Sequence, residues 1–389
     1  MLKNVKLKEL GEIFTGSTPS KKNKEFYNSE DIMFIKPDIL DFDIVNIGVS
    51  NEYISEKARE KARIIPANSL LVSCIGSIGK LGINEKEVAF NQQINAIVPN
   101  NKIKSSRYLA YLLKYNQKKL ESIANAPVVP IINKTQFSEF EVLIHENLNF
   151  QEQITQILDK SKEIIEKRKE QIQFLDKLVK SKFIEMFGDP VTNLKKWDKV
   201  AIGEMFEIKT GATPSRKENS YWEGGTIPWV KTTELKEYII NETEEYITED
   251  GFNNSSVNLL PKDTILIAMY GQGKTRGMTG KLGIEATTNQ ACAAILPNNN
   301  ENMDFVWYQL RLLYDELRAL GQGGSQPNLN TNLVKTYQLI FPPVELQNEF
   351  ERFIKHIDKL KFEMEKSLKE LEDNFNSLMQ KAFRGELFK

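Results

Sequence analysis

The side chains of this 389-residue chain that are best suited to chemistry occur twice. Ser20-Lys21-Lys22 returns as Ser215-Arg216-Lys217, Lys36 as Lys231, and Lys80 as Lys281. Gln92 and Gln93 follow Asn91 as Gln290 follows Asn289. Lys and Arg donate to phosphate oxygens and, within a groove, to the acceptor edge of guanine; Gln and Asn match the edge of adenine. Taken singly, each is an ordinary solvated residue. Their duplicated order points to a nucleic-acid surface. The candidate contacts are Lys21, Lys22, Lys36, Lys80, Gln92 and Gln93 in the first copy. In the second they are Arg216, Lys217, Lys231, Gln272, Lys274, Arg276, Lys281 and Gln290.

Catalytic constellations are scarce. From Ala268 to Thr275 the chain reads AMYGQGKT, a loose phosphate-loop pattern after an apolar run. A phosphate loop needs a helix whose N-terminus meets the phosphates. Arg276-Gly277-Met278-Thr279-Gly280 does not read as one, and the first copy (Cys74–Lys80) lacks the pattern. A flexible basic Gly loop bringing N–H groups to a DNA phosphate is the better reading. A nucleotide-binding regulator using 268–275, with Lys274 and Thr275 at its centre, is the rival. The two histidines, His145 and His356, leave little material for acid–base or metal chemistry. Cys74 and Cys292 sit alone in apolar runs and read as small buried hydrophobes. No catalysis is expected of this chain, and no metal.

Two long helices must position these loops. Leu148–Phe187 contains no Gly or Pro. Ile154, Leu158, Ser161, Ile165, Arg168, Ile172, Leu175 and Val179 recur at steps of four and three, forming one stripe. Gly188-Asp189-Pro190 ends the run. A second stripe runs from Phe350 through Ile354, Ile357, Leu360, Met364, Leu368, Leu371, Phe375 and Leu378 to Ala382. At ~1.5 Å per residue each helix extends on the order of 55 Å. One narrow stripe on so long a helix requires a partner of similar length, so the two are read as a coiled coil.

The repeat extends beyond the helices. Gly16-Ser17-Thr18-Pro19 matches Gly211-Ala212-Thr213-Pro214, a turn the fold itself could equally require. Tyr53-Ile54-Ser55-Glu56 matches Tyr246-Ile247-Thr248-Glu249, and Gly79-Lys80-Leu81-Gly82-Ile83 matches Gly280-Lys281-Leu282-Gly283-Ile284. Apolar runs at Ser69–Ile75 and Thr264–Met269 read as strands, while Arg107–Leu120 and Asp304–Leu320 read as helices. The expected fold is α+β: two similar domains of mixed sheet plus helices at 1–147 and 188–343, separated by helical spacers at 148–187 and 344–389. The whole chain balances 52 basic against 53 acidic residues, but residues 1–147 carry 20 and 17 and residues 198–343 carry 13 and 18. Polyanion contact must therefore be local, above all in the acidic second domain. No apolar run of membrane length occurs, so a soluble cytoplasmic protein is expected.

These residues resemble the specificity subunit of type I restriction-modification systems over essentially the whole length. The marks are the Thr-Pro-Ser turns after Gly16 and Gly211, the SIGKLGI and MTGKLGI strings, and the two Asn-Gln segments. The helix starts Gln151-x-x-Ile154 and Gln347-x-x-Phe350, with the helix ends KSKFIEMFGDP and LMQKAFRGELF, complete them. The resemblance implies two target-recognition domains, each reading one half of an asymmetric bipartite site in double-stranded DNA. The helices Gln151–Phe187 and Gln347–Phe383 would pair as an antiparallel coiled-coil spacer, set the gap and bind partners. It further implies two methyltransferase subunits bringing S-adenosylmethionine for adenine methylation, and two ATP- and Mg-dependent restriction subunits, in anti-phage defence. No cofactor is then expected on this chain. A coiled-coil interaction scaffold without DNA contact is the third reading.

Overall fold

The structure, a computed structural model, describes residues 2–124, 129–271, 273–298, 300–321 and 328–388. Contacts divide the chain into two compact units, residues 1–170 with 365–389 and residues 171–364. In the first unit the elements run β1 (Leu2–Lys6), β2 (Gly11–Thr15), β3 (Ile32–Ile35), β4 (Ile44–Ile47), β5 (Tyr53–Ile54), β6 (Ile64–Ile65) and β7 (Leu70–Ser73). They continue with β8 (Leu81–Asn84), β9 (Val88–Phe90), β10 (Ile94–Pro99), α1 (Ser106–Tyr115), α2 (Gln117–Ser122), α3 (Lys134–Glu139) and β11 (Glu141–His145). Helix α4 (Leu148–Phe187) follows.

A five-stranded sheet of order β2-β10-β7-β8-β4 faces a four-stranded sheet of order β5-β3-β9-β6. Strand alternation explains why β7 is buried throughout: its two faces serve different cores. Leu71 points with Met33, Ile35, Val88 and Phe90 into the space between the sheets. Leu70 and Val72 face the other way, onto Tyr108, Leu109 and Leu112 of α1 and onto Ile154 and Leu158 of α4.

The second unit repeats this plan with β12 (Lys199–Ala201), α5 (Ile202–Met205), β13 (Ile208–Thr210), β14 (Ile227–Val230), β15 (Ile239–Ile240), β16 (Glu245–Ile247) and α6 (Glu249–Asn253). Then come β17 (Ile265–Ala268), β18 (Thr279–Leu282), β19 (Thr287–Thr288), β20 (Cys292–Ile295), α7 (Met303–Leu312), α8 (Tyr314–Leu320), α9 (Thr331–Thr336), β21 (Gln338–Ile340) and α10 (Val344–Phe383). Its five-stranded sheet has the order β13-β20-β17-β18-β15, strand for strand the order of the first unit. The expected helices at 107–120 and 304–320 are each two helices, broken at Asn116 and Leu313.

Each unit contains an antiparallel stretch of the two long helices. In the first, Phe150 stacks on Phe388 at 5.1 Å while Lys169 pairs with Glu372 at 3.5 Å. In the second, Asp176 pairs with Lys361 at 2.8 Å, and Phe183 and Phe187 pack on Phe350 at 5.4 and 5.5 Å. Leu360, placed in the apolar stripe by its spacing, is 39% exposed. Gly188 ends α4 in the left-handed region (φ +80°), its N–H on the Ile184 carbonyl at 2.8 Å.

A buried glutamine joins each long helix to its unit. Gln151 accepts from the Lys104 N–H at 2.8 Å and donates to the carbonyls of Lys102 (2.9 Å) and His145 (2.7 Å). Gln347 accepts from the Asn302 N–H at 3.0 Å and donates to Glu301 (2.6 Å) and the Pro342 carbonyl (2.8 Å). Neither is more than 1% exposed. The duplicated glutamine of the helix starts is thus a structural tie. His145 is structural too: its buried ring donates from Nε2 to the Ala382 carbonyl at 2.8 Å.

The structure corrects one alignment made from letters alone. Gly82 and Gly280 occupy the same place, since an added Cβ at either would meet the same pair of side chains. These are Ile47 and Leu40 in the first unit and Ile240 and Leu235 in the second. Strand pairing agrees: Leu71 faces Gly82 and Leu266 faces Gly280. The matching GKLGI strings are therefore three residues out of register. Lys281 takes the place of Ile83, not of Lys80.

Candidate nucleic-acid interface

Register brings the duplicated loops to one end of each five-stranded sheet. After β7, the Cys74 N–H bonds the Gln93 carbonyl at 2.8 Å; after β17, the Met269 N–H bonds the Ala291 carbonyl at 2.8 Å. The Asn-Gln turns therefore lie beside the β7–β8 and β17–β18 tips. Each turn is built by its own asparagine, as Asn91 Oδ1 accepts from the Gln93 N–H (3.1 Å) and Asn289 Oδ1 from the Ala291 N–H (3.2 Å).

The Gly-x-Thr-Pro turns pack directly onto the Asn-Gln turns. A Cβ on Gly16 would lie 2.0 Å from the Asn91 carbonyl oxygen, and one on Gly211 would lie 1.9 Å from that of Thr288. Only glycine permits so close an approach. Thr18 then donates to Gln92 Oε1 at 2.7 Å and Thr213 to Gln290 Oε1 at 2.5 Å. Both glutamines are exposed, with their carbonyl oxygens already engaged. Their amide N–H groups are the donors these contacts leave available.

Around each turn the cations share a carboxylate. Glu52 accepts from Lys36 and lies 3.7 Å from Lys21. Glu245 accepts from Arg216 at 2.5 Å and from Lys231 at 2.9 Å, and Lys231 also reaches Glu244 at 2.8 Å. The hydrogen bonds that Lys231 donates to Glu244 and Glu245 raise its pKa above the ordinary value. Burial pushes the Glu245 carboxyl up, but the Arg216 and Lys231 bonds outweigh it and hold the group below the usual range. Arg216 also lies over Trp222 at 3.6 Å and Trp229 at 4.8 Å, which fixes its guanidinium plane. Glu52 and Glu245 belong to this candidate interface, and the sequence reading did not single them out. The signal was present: each directly precedes the repeated Tyr-Ile pair.

Other candidate residues are placed variously. Lys22, Lys217 and Lys274 are exposed, and among the described residues none forms an ion pair. Lys80 is half-buried, its ammonium 5.8 Å from the Phe42 ring. Gln93 is half-buried and accepts from Asn91 Nδ2 at 2.9 Å. Gln272 lies outside the described residues. Two expectations are corrected. Lys281 is 5% exposed and bound between Asp304 and Asp263, the latter at 3.3 Å, so it is a buried ion-pair partner and not a surface cation. Arg276 is 7% exposed, in the position of the buried Ile78.

The AMYGQGKT string is a hairpin tip. β17 and β18 pair antiparallel, and the described residues between Ala268 and Thr279 lie in turns and irregular structure, without the helix a phosphate loop requires. Both cysteines are buried with their thiol pKa pushed up to about 12 by burial, which leaves them inert. No group of three or more His, Cys, Asp or Glu among the described residues could hold a metal ion. No helix among them is long and apolar enough to cross a membrane.

These features define a duplicated binding protein that presents one cation- and amide-bearing surface from each of two like units. The family model described as "Type I restriction modification DNA specificity domain" matches residues 2–173 and 194–373. The chain belongs to this family. Similar proteins include the type I restriction enzyme MjaIX specificity subunit of Methanocaldococcus jannaschii, 25% identical across 98% of this chain and 92% of the relative. The HindI specificity subunit of Haemophilus influenzae is 33% identical across 40% of this chain and 35% of that protein. Among solved structures, the S subunit of a type I system from M. genitalium superposes with a TM-score of 0.56 at 18% identity, covering 98% of this chain and 96% of that one. A chain from a study of type I complex assembly and conformational transition gives 0.70 at 16% identity, covering 99% and 98%.

Proposed function

We propose that this chain is the non-catalytic specificity subunit of a type I restriction-modification complex, reading a bipartite asymmetric site in double-stranded DNA. The observation that carries the reading is the duplicated interface. Each unit holds a Gly-x-Thr-Pro turn bonded through its threonine to an exposed glutamine, beside cations tied to a shared carboxylate. Two copies of one reader suit two half-sites. Residues 1–147 and 188–343 are assigned as the target-recognition domains. The helices 151–187 and 347–383 are assigned as spacer and docking surface for two methyltransferase subunits and two restriction subunits. S-adenosylmethionine, ATP and Mg belong to those partners, and the complex works in the cytoplasm.

The fixed cations limit what this chain does alone. A lysine already paired to a carboxylate neutralises less phosphate charge, so fewer counterions are released on binding. The isolated chain is expected to bind DNA weakly, with partner subunits supplying part of the backbone affinity. The test is to express the chain with its methyltransferase partner and map N6-methyladenine across a genome. A bipartite motif with one fixed gap supports the reading. Methylation no different from a partner-only control refutes it and favours the scaffold alternative.

A further inference from the structure

The two units differ at one point of the interface in a way their common plan does not explain. Corrected for register, Gly76 matches Gly271, and Gly79 matches Gly277. The latter pair have φ of +83° and +84°, and their N–H groups bond the Ser73 and Ala268 carbonyls, both at 2.9 Å. Two residues lie between these glycines in the first unit and five in the second. The β17–β18 tip therefore carries a three-residue extension. It stands next to Gln290, because the Met269 N–H bonds the Ala291 carbonyl.

The extended tip is held from behind by α8. Tyr314 donates to the Lys274 carbonyl at 2.7 Å, and Arg318 donates to the carbonyls of Gly273 (2.5 Å) and Arg276 (3.3 Å) and to the Tyr314 hydroxyl (3.1 Å). These bonds fix the backbone and engage carbonyls, leaving the side chains of Tyr270 and Lys274 outside. Tyr270 is 41% exposed and Lys274 is exposed. No hydrogen bond or ion pair to the Lys274 ammonium group forms among the described residues. It shares this with Lys22 and Lys217, which lie outside the extension, and differs from Lys21, Lys36, Arg216 and Lys231, all tied to glutamates.

We propose that Lys274, with Tyr270 of the same hairpin tip, is the specificity-determining element of the second unit, reading the acceptor edge of a guanine in one half-site. The duplicated turns grip the DNA backbone. This rests on the specificity-subunit reading above. Two domains that read different half-sites must differ where they read, and features common to both cannot make the two half-sites differ. A pre-fixed tip with an uncompensated three-donor ammonium group is suited to the O6 and N7 acceptors of guanine. The α8 clamp reduces the ordering cost of bringing that group to the base.

The test uses the full chain with its methyltransferase partner, as wild type, Lys274→Ala, Tyr270→Ala and Lys217→Ala, with N6-methyladenine mapped for each. Lys274→Ala is expected to lower discrimination at one G·C pair of one half-site by about fivefold to about a hundredfold. The other half-site is left unchanged. Tyr270→Ala weakens selection at the same or the adjacent pair, whereas Lys217→Ala lowers methylation uniformly without changing the motif. Retention of full discrimination at every position in both tip variants overturns the proposal, whether overall methylation falls or not. Both tip residues are exposed, and the thermal transition of each variant confirms that it is folded. Failure of the underlying reading shows separately, as a wild-type complex that methylates no bipartite motif.

Discussion

Replacing Gln151 with alanine removes the tie between the first unit and the start of α4, and the structure sets the size of the effect. Three hydrogen bonds vanish: one accepted from Lys104 and two donated to Lys102 and His145. At a net ~1 kcal/mol each, the loss is about 3 kcal/mol, and the orphaned His145 carbonyl adds to it because Gln151 is fully buried. For a unit of this size each kcal/mol moves the midpoint by about 2–4 °C, so the first unit should melt roughly 6–12 °C lower. Gln347→Ala should act alike on the second unit, where it strands the Glu301 carboxylate as well as the Pro342 carbonyl. Calorimetry on the full chain, with each unit followed by hydrogen exchange, reads both effects. Methionine in place of Gln151 keeps the volume but none of the bonds, so it should cost nearly as much as alanine. A shift under about 2 °C for the alanine variants, or full rescue by methionine, would refute the claim that polar ties hold the helices in place.

Glu245→Gln should release Arg216 for phosphate, while Lys231 stays held by Glu244, tightening non-specific DNA binding. Each cation that gains a phosphate should steepen the dependence of log K on log salt by about 0.9; an unchanged slope in a fluorescence titration would count against the shared-carboxylate account. Gly211→Ala drives a Cβ to 1.9 Å from the Thr288 oxygen and must displace the turn. Overpacking of this kind costs about 1–3 kcal/mol, and DNA protection should be lost at one half-site only, as read by footprinting. In the first unit, hydrogen bonds from Lys6 and Lys8 hold Glu139 down to about 2. A depressed carboxylate contributes stability above its ordinary pKa and loses it as pH falls from about 4.5 toward 2. Acid unfolding of Glu139→Gln should therefore be less steep across that window, and identical acid profiles would disprove the linkage.

The long helices were legible because their signal is local and redundant: a stripe at steps of three and four, no breaker inside, and Gly188 and Pro190 at the end. The doubling of the fold was legible for the same reason, many short matches in one order. What failed were inferences about partners distant in sequence. Lys281 looked like a surface cation because its carboxylate, Asp304, lies 23 residues away and meets it only through the packing of α7 on β18. Glu52 and Glu245 were overlooked although repeated, since nothing in a string says that a carboxylate will sit between two cations. The GKLGI match misled because five identical letters outweighed geometry. Only the packing of Gly82 and Gly280 against equivalent leucine and isoleucine pairs places the three-residue extension in the hairpin tip. On the proposed reading, base-contacting side chains are the least legible of all, because loops choose them where the two copies diverge.

The most direct test of the two-reader account is a domain exchange read by methylation. Residues 1–147 are replaced with the corresponding segment of another family member, the hybrid is assembled with the methyltransferase, and N6-methyladenine is mapped. The account predicts that one half of the bipartite motif changes while the other half and the gap stay as they were. A change in both halves, or in neither, would contradict it.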